Sequence, residues 1–228
     1  KSAGRNTYRF FDPNIQALLN TRVDMDNNMR QGLQNDEFSL YYQPQVNSHN
    51  ELLGCEGLIR WQHPERGMIL PGIFIPIAED TGFIIQLGRW TLEQACNQIV
   101  SWSGSSELKN IKISVNISAN QFRHPGFVND VLDTINRTGA NPGRLKLELT
   151  ESFIIADIED AIHKMSALKN KNVSFSLDDF GTGYSSLAYL KRLPLDELKI
   201  DRSFISNVLK DENDAAIVRT VIALGKTM

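Results

Sequence analysis

Leu145-Lys146-Leu147-Glu148-Leu149-Thr150 alternates apolar and polar residues without a break. Side chains alternate across a strand, so one face here is apolar and the other carries Lys146, Glu148 and Thr150. The stretch upstream, Ile111-Lys112-Ile113-Ser114-Val115-Asn116-Ile117, repeats the pattern with Lys112, Ser114 and Asn116 on its second face. Ser174, Ser176 and Asp178 share a face of the next strand pattern, and Glu197, Lys199 and Asp201 a face of the last. Helical patterns separate these strands, at residues 126–137, 158–170 and 185–192. Alternating strand and helix predicts a mainly parallel sheet covered by helices. An open parallel sheet is covered on both faces and should be apolar on both. A barrel resolves the conflict: apolar faces meet outer helices and polar faces point inward, with acids near the strands' C-terminal ends. A half-solvated antiparallel sheet would account for the alternation but not for the helices between.

Further out, residues 38–46 and 52–59 read as strands around a polar turn at 47–50. Residues 73–79 and 83–102 read as helices broken at Thr81-Gly82, and 213–226 as a final helix capped by Asp211 or Asn213. The chain of 228 residues carries a net charge of −3, which excludes the basic footprint of a duplex nucleic-acid binder. Cys55 and Cys96 lack metal-ligand spacing and are expected to stay reduced thiols in a cytoplasmic setting. No apolar run approaches the roughly 20 residues of a membrane span. His49, His63, His124 and His163 read as loop or surface residues, and Trp90 and Trp102 as packing anchors.

Chemistry gathers at the strand ends. In Ser174-Phe175-Ser176-Leu177-Asp178-Asp179-Phe180-Gly181-Thr182-Gly183-Tyr184 two adjacent carboxylates end a strand and a glycine-containing loop follows. Adjacent acids repel, so an interior pair calls for a cation. With Glu56, Asn116 and Glu148 from other strand ends, Asp178 and Asp179 complete an all-oxygen ligand set, which suits Mg²⁺ or Mn²⁺ and not a thiolate–imidazole zinc site. Two ions about 3.5–4 Å apart would activate water and neutralise charge on a phosphate, with Asp179 placed to bridge them. Lys199 is positioned to orient the water or meet the phosphate, and Arg60 offers the planar donor fork that phosphate favours. The alternatives are a structural partnership of Lys199 with Asp201 or Glu148, and a surface ion pair for Arg60.

Seven stretches in order carry a family resemblance: Tyr41-Tyr42-Gln43-Pro44, Glu56-Gly57-Leu58-Ile59-Arg60-Trp61, Phe74-Ile75-Pro76-Ile77-Ala78-Glu79-Asp80-Thr81-Gly82, Val115-Asn116-Ile117-Ser118, Glu148-Leu149-Thr150-Glu151-Ser152, Asp178-Asp179-Phe180-Gly181-Thr182-Gly183 and Leu198-Lys199-Ile200-Asp201. The chain resembles the EAL domain of cyclic di-GMP phosphodiesterases from about residue 33 onward. The resemblance implies a modified (β/α)8 TIM-like barrel with an antiparallel first strand, hydrolysing cyclic di-GMP to linear pGpG in bacterial signalling. It implies Glu56, Asn116, Glu148, Asp178 and Asp179 as metal ligands, and Lys199, Asp179 and Glu56 as catalytic. Arg60 resembles the phosphate-contacting arginine, Gln43 stands where the substrate pocket begins, and Glu151 resembles the glutamate that holds the loop after Asp179. In the family that loop also takes part in dimer formation, so a homodimer is expected.

Residues 1–13 resemble the tail of a GGDEF (diguanylate cyclase-like) domain, residues 14–32 a linker helix and 33–228 the EAL domain. Two departures stand out. Gly57 occupies a position where the family usually has Ala, and two further strand–helix units, with another metal-binding Glu and a Gln, are expected beyond Met228. For a polypeptide ending there the expectation is little or no turnover. The alternative functions are a catalytically silent cyclic di-GMP receptor and a dimerising regulatory module for an attached GGDEF domain, in a parent chain that is cytoplasmic or tethered to a membrane.

Overall fold

Four strands carry the alternation and pair in parallel. They are β4 (Lys112–Ile117), β5 (Leu145–Thr150), β6 (Ser174–Phe180) and β7 (Glu197–Ile200), numbered after three strands that precede them. The computed structural model describes residues 13–150, 157–181 and 187–227. Helices intervene as the pattern requires: α4 (Ala119–Arg123) and α5 (Phe127–Thr138) follow β4, α6 (Ile158–Lys169) follows β5, and α7 (Leu187–Leu190) follows β6. After β7 come α8 (Arg202–Asn207) and α9 (Glu212–Thr227).

The apolar faces do what the parity predicts. Ile113, Val115, Leu145, Leu147, Leu149, Phe175 and Leu177 are buried, in one cluster with Val131 and Ile135 of α5 and Met165 and Leu168 of α6. Burying each such side chain contributes roughly 1.5–3 kcal/mol relative to leaving it exposed. The opposite faces are enclosed as well, since Ser114, Ser176 and Glu148 are at most 1% exposed. A sheet with a wet face would expose them. The arrangement is therefore a TIM-like α/β barrel architecture with a polar interior.

The N-terminal part builds a second core. After α1 (Pro13–Gln34), β1 (Phe38–Val46) runs antiparallel to β2 (Leu52–His63), placing Phe38 opposite Trp61 and Gln43 opposite Glu56. Residues 54–57 of β2 then pair in parallel with β4, which makes β1 the antiparallel first strand of the series β1-β2-β4-β5-β6-β7. Phe38 stacks on Trp61 with ring centroids 5.2 Å apart, and Phe74 meets Trp61 edge-on. Met25 and Met29 of α1 and Phe74 and Ala78 of α2 (Pro71–Thr81) join the same cluster. Gly82 ends α2 with φ 77°, a left-handed conformation that costs glycine no steric strain, and α3 (Ile84–Ser101) follows.

Several elements differ from the sequence expectation. The second strand continues past residue 59 to His63 and forms a hairpin with β3 (Gly67–Ile69). His63 is buried, not a surface residue: its Nδ1 accepts from the backbone N–H groups of Glu65 and Arg66 at the turn. Trp90 and Trp102 do pack, on Phe38 and Tyr42 respectively. Asp211 is the residue that caps α9, accepting from Asn213 N at 2.8 Å and Asp214 N at 3.4 Å. Cys55 and Cys96 are buried free thiols. Among the described residues no helix is long and apolar enough to cross a membrane.

Candidate functional site

Alternation aims one side chain of each successive strand at the same end of the enclosed polar face. Asn116 of β4 lies opposite Glu148 of β5, which lies opposite Ser176 of β6, while Thr150 lies opposite Asp178. Glu56 enters from β2. Oxygen atoms of Glu56, Glu148 and Asp178 lie within 4.8 Å of one another. Lys199 of β7 stands between them, its Nζ 2.6 Å from Glu148 Oε2, 3.0 Å from Asp178 Oδ2 and 3.2 Å from Glu56 Oε2. Asn116 Nδ2 donates to Glu56 Oε1 at 2.7 Å, which fixes the orientation of that carboxylate. Four expected ligands and the expected lysine therefore meet. Lys199's partners are Glu148, Glu56 and Asp178, whereas Asp201 is occupied as the cap of α8, accepting from Ser203 N at 2.8 Å.

The electrostatics follow from that crowding. Burial pushes the Glu148 carboxyl above its ordinary pKa, and the Lys199 ammonium only partly offsets it. Burial also works against the Lys199 charge, but the Glu148 and Asp178 carboxylates outweigh it and raise the lysine's pKa above its ordinary value. Three carboxylates against one ammonium leave a formal charge of −2. Among the described residues no donor, the nearby Ser114 hydroxyl included, meets the buried Glu148 Oε1 at full hydrogen-bond geometry, an arrangement costly to keep unless something else coordinates it. An all-oxygen donor set, a formal charge of −2 and an unpartnered buried carboxylate oxygen together fit a divalent cation of the hard, oxygen-binding class.

Asp179 stands apart from this group. Its φ is 55°, the left-handed region, and the β6–β7 register shifts between Leu177 and Phe180. An aspartate tolerates that conformation better than a branched residue. Its own N–H donates to Asp178 Oδ1 at 3.0 Å. The side chain lies against Asp201, and burial with the charges of Asp178 and Asp201 raises its pKa. Gly181 turns the chain onward with φ 103°. Glu151 and the loop residues 182–186 fall outside the described residues.

Arg60 shares the strand parity of Glu56 but does not reach the acids. Its guanidinium lies over the Tyr41 ring at 5.8 Å, and Nη1 donates to the Ile59 carbonyl. Among the described residues it makes no ion pair, so the surface-pair alternative is not realised there. Gln43 is exposed, on β1 directly opposite Glu56. Gly57 is buried beside them; a Cβ there would sit 3.3 Å from the Ser114 carbonyl oxygen, a close fit that glycine relieves.

Beside Asn116 opens a cleft of about 440 Å³ lined largely by apolar groups, among them Leu58, Ile75, Leu87 and Ile117, with Glu79 and Gln121 as polar members. Sequence reasoning did not identify it, because its walls come from α2, α3, α4 and the strands β2, β4 and β5 and share no linear pattern. The hydroxyls of Ser114 and Ser176 went unassigned too, although parity places both on the polar face.

A TIM-like barrel whose strand ends gather acids, an amide and a lysine belongs to the class of barrel domains whose functional site lies at the C-terminal mouth, here with three carboxylates close enough to hold a metal ion. A family model described as the EAL domain matches residues 26–228, and the chain belongs to that family. It is 44% identical over 229 residues to the bifunctional diguanylate cyclase/cyclic di-GMP phosphodiesterase MucR of Pseudomonas aeruginosa, covering 100% of this chain and 33% of that protein. It is 36% identical to the cyclic di-GMP phosphodiesterase NbdA of the same organism, covering 100% of this chain and 29% of that protein. The chain thus spans about a third of the length of these curated relatives. The solved structure of the MucR phosphodiesterase in complex with c-di-GMP superposes with a TM-score of 0.85 at 44% identity, covering 90% of this chain and 83% of that one.

Proposed function

We propose that the domain is a metal-dependent phosphodiesterase that opens cyclic di-GMP to linear pGpG. The observation that carries this reading is the convergence of Glu56, Glu148 and Asp178 on Lys199, with Asn116 hydrogen-bonded to Glu56. In this reading Glu56, Asn116, Glu148 and Asp178 would hold Mg²⁺ or Mn²⁺, and Asp179 would serve a second ion after turning from Asp201. A bound divalent ion lowers the pKa of a water and offsets charge developing on the phosphate. The chain's own groups do the rest. Lys199 would release one of its three carboxylate partners and turn that N–H to a water whose oxygen attacks phosphorus, while one P–O ester bond breaks and the ribose oxygen leaves with a proton. Arg60, free of acid partners among the described residues, turns its fork to a phosphate oxygen. Gln43 borders the substrate on the β1 side, and Glu151 steadies the loop after Asp179. The apolar cleft beside Asn116 is wide enough to shelter a flat ring system from water.

In the same reading, residues 1–13 end a GGDEF domain, residues 14–32 lead out of it and a homodimer forms in the cytoplasm. The relation to a bifunctional relative supports that architecture.

The test is chromatography of cyclic di-GMP incubated with Mn²⁺ and the full-length protein containing this domain, beside its Glu56→Ala variant. pGpG formed only by the unmodified protein is the expected result. Nucleotide that stays bound and uncleaved would replace the enzyme with a receptor or regulatory module.

A further inference from the structure

Beneath the acids the enclosed face holds a second ion pair that the reaction does not use. Lys146 Nζ lies 2.5 Å from Glu197 Oε2. Lys146 stands two residues before Glu148 on the same face of β5, and Glu197 two residues before Lys199 on the same face of β7. The two pairs, 146 with 197 and 148 with 199, therefore run along one diagonal, offset by one step of the pleat. Both cross β6, where the intervening positions are Ser174 and Ser176. A serine reaches only one atom past its Cβ, so a lysine arm passes over it. A branched side chain at either position would stand in the way.

On its β6 side β7 is held by a short ladder. The strand has four residues, and its Cα partners on β6 are Ser176 for Glu197, Leu177 for Leu198 and Phe180 for Ile200. Lys199 is the one residue of β7 without a register partner, because it falls where the register shifts. The β6–β7 ladder therefore fixes Lys199 less than the other three residues of the strand. Asp196 ties the strand's start to β6, with Asp196 N donating to Phe175 O and Phe175 N donating to Asp196 Oδ2. Glu197 is the next hold. The Lys146 side chain is only 9% exposed, and among the described residues Glu197 is its sole hydrogen-bond partner. The Lys146 ammonium is withdrawn from water while Glu197 is 41% exposed, so the hold comes from the lysine, whose charge separation would leave uncompensated.

We propose that Lys146 and Glu197 are positioning residues: their ion pair sets the height at which β7 presents Lys199 to Glu148 and Asp178. The inference rests on the phosphodiesterase reading for its effect on turnover, but not for its geometry. The full-length protein would be compared with Lys146→Met, Glu197→Gln, the double variant and Lys146→Arg. Two readouts serve: kcat and KM for cyclic di-GMP with Mn²⁺, and reductive methylation of lysines in metal-free protein mapped by mass spectrometry.

If the pair acts as a strut, both single variants and the double lower kcat by the same factor, about tenfold, with KM unchanged within twofold. Lys146→Arg then keeps kcat within about threefold. Methylation of Lys199 rises several-fold in the broken-pair variants while the buried Lys164, on α6, stays protected. Unequal or additive losses in kcat would mean that each charge acts separately on the site, and would overturn the proposal. So would Lys199 remaining as protected as in the unmodified protein. Should that protein fail to cleave cyclic di-GMP, the phosphodiesterase reading fails by itself and the methylation pattern still decides the strut. Should Lys146→Met not fold, Glu197→Gln, which alters the half-exposed partner, carries the test.

Discussion

Lys199 donates to three carboxylates at once, and its removal separates two roles that the geometry combines. In the Lys199→Met variant Glu56, Glu148 and Asp178 face one another with no cation among them, so their mutual repulsion rises. We expect a lower metal-free Tm, and a larger rise in Tm on adding Mn²⁺ than the unmodified protein shows, while turnover falls. Thermal scans with and without Mn²⁺ check this, because a ligand that binds the folded state alone stabilises by mass action. The thiols give a second residue-scale expectation. Burial pushes Cys55 and Cys96 up to about 11, from about 9. The folded protein therefore keeps protons that the unfolded chain has lost, so this stabilisation is complete below about pH 9 and eroded as pH climbs toward 11. Denaturant melts at pH 8 and pH 10.5 should show the loss, and neither thiol should react with a thiol reagent at pH 8 until the protein unfolds. Much at this scale is legible in sequence: period-two parity alone places Glu148, Asp178 and Lys199 on one enclosed face. The position of Asp179 is not, since a single left-handed residue turns its side chain toward Asp201 and no periodicity announces such a turn.

At the scale of elements, two glycines inside helices make opposite cases of one substitution. A Cβ on Gly88 of α3 would meet the amide atoms of Gln121 at 2.4 Å, and that amide is the far end of a flexible side chain bordering the cleft. In Gly88→Ala we expect Gln121 to swing into the cleft. Cyclic di-GMP affinity measured by calorimetry should drop several-fold, while stability changes little, because alanine favours a helix interior by about 1 kcal/mol. A Cβ on Gly32 of α1 would meet Glu37 Oε2 at 2.7 Å and Trp61 Nε1 at 2.8 Å, two atoms already hydrogen-bonded to each other. The indole is fully buried and has nowhere to go. Gly32→Ala should therefore cost about 1–3 kcal/mol in a urea melt, despite the better helix former. The long helices and the buried strands were legible because their periods extend over two turns or several pleats. The five residues of α4 and six of α8 were not, since one turn of helix, begun by the caps Ser118 and Asp201, is too short to show a period.

Across the whole molecule the sequence predicts one barrel, and the described residues form two apolar clusters. The larger lies between the strands and α3, α5 and α6; the smaller joins α1, α2, the start of α3, β3 and the outer ends of β1 and β2. The smaller was hidden because Met25, Met29, Phe38, Trp61 and Phe74 come from segments that each look like the margin of something else. The C-terminal half of α1, read from sequence as a linker, is built into that cluster, with Met29 fully buried. Arg144 performs a comparable service for the larger one. Its guanidinium donates to the carbonyls of Ile99, Leu108 and Ile111, which fastens the approach to β4 onto the start of β5 and keeps Asn116 level with Glu148.

β2 and α3 each have buried residues in both clusters, Cys55 and Trp61 in the case of β2, and of these two elements β2 is the one that carries a site acid. It is a beam resting on two piers, with Glu56 set beside the first and Arg60 beside the second. Such a beam sags when either pier settles. On warming, ligand grip should then fade while most of the barrel still stands, and a load applied to α1 should be felt at Glu56 through the stretch of a single strand that runs from Trp61 back to Glu56.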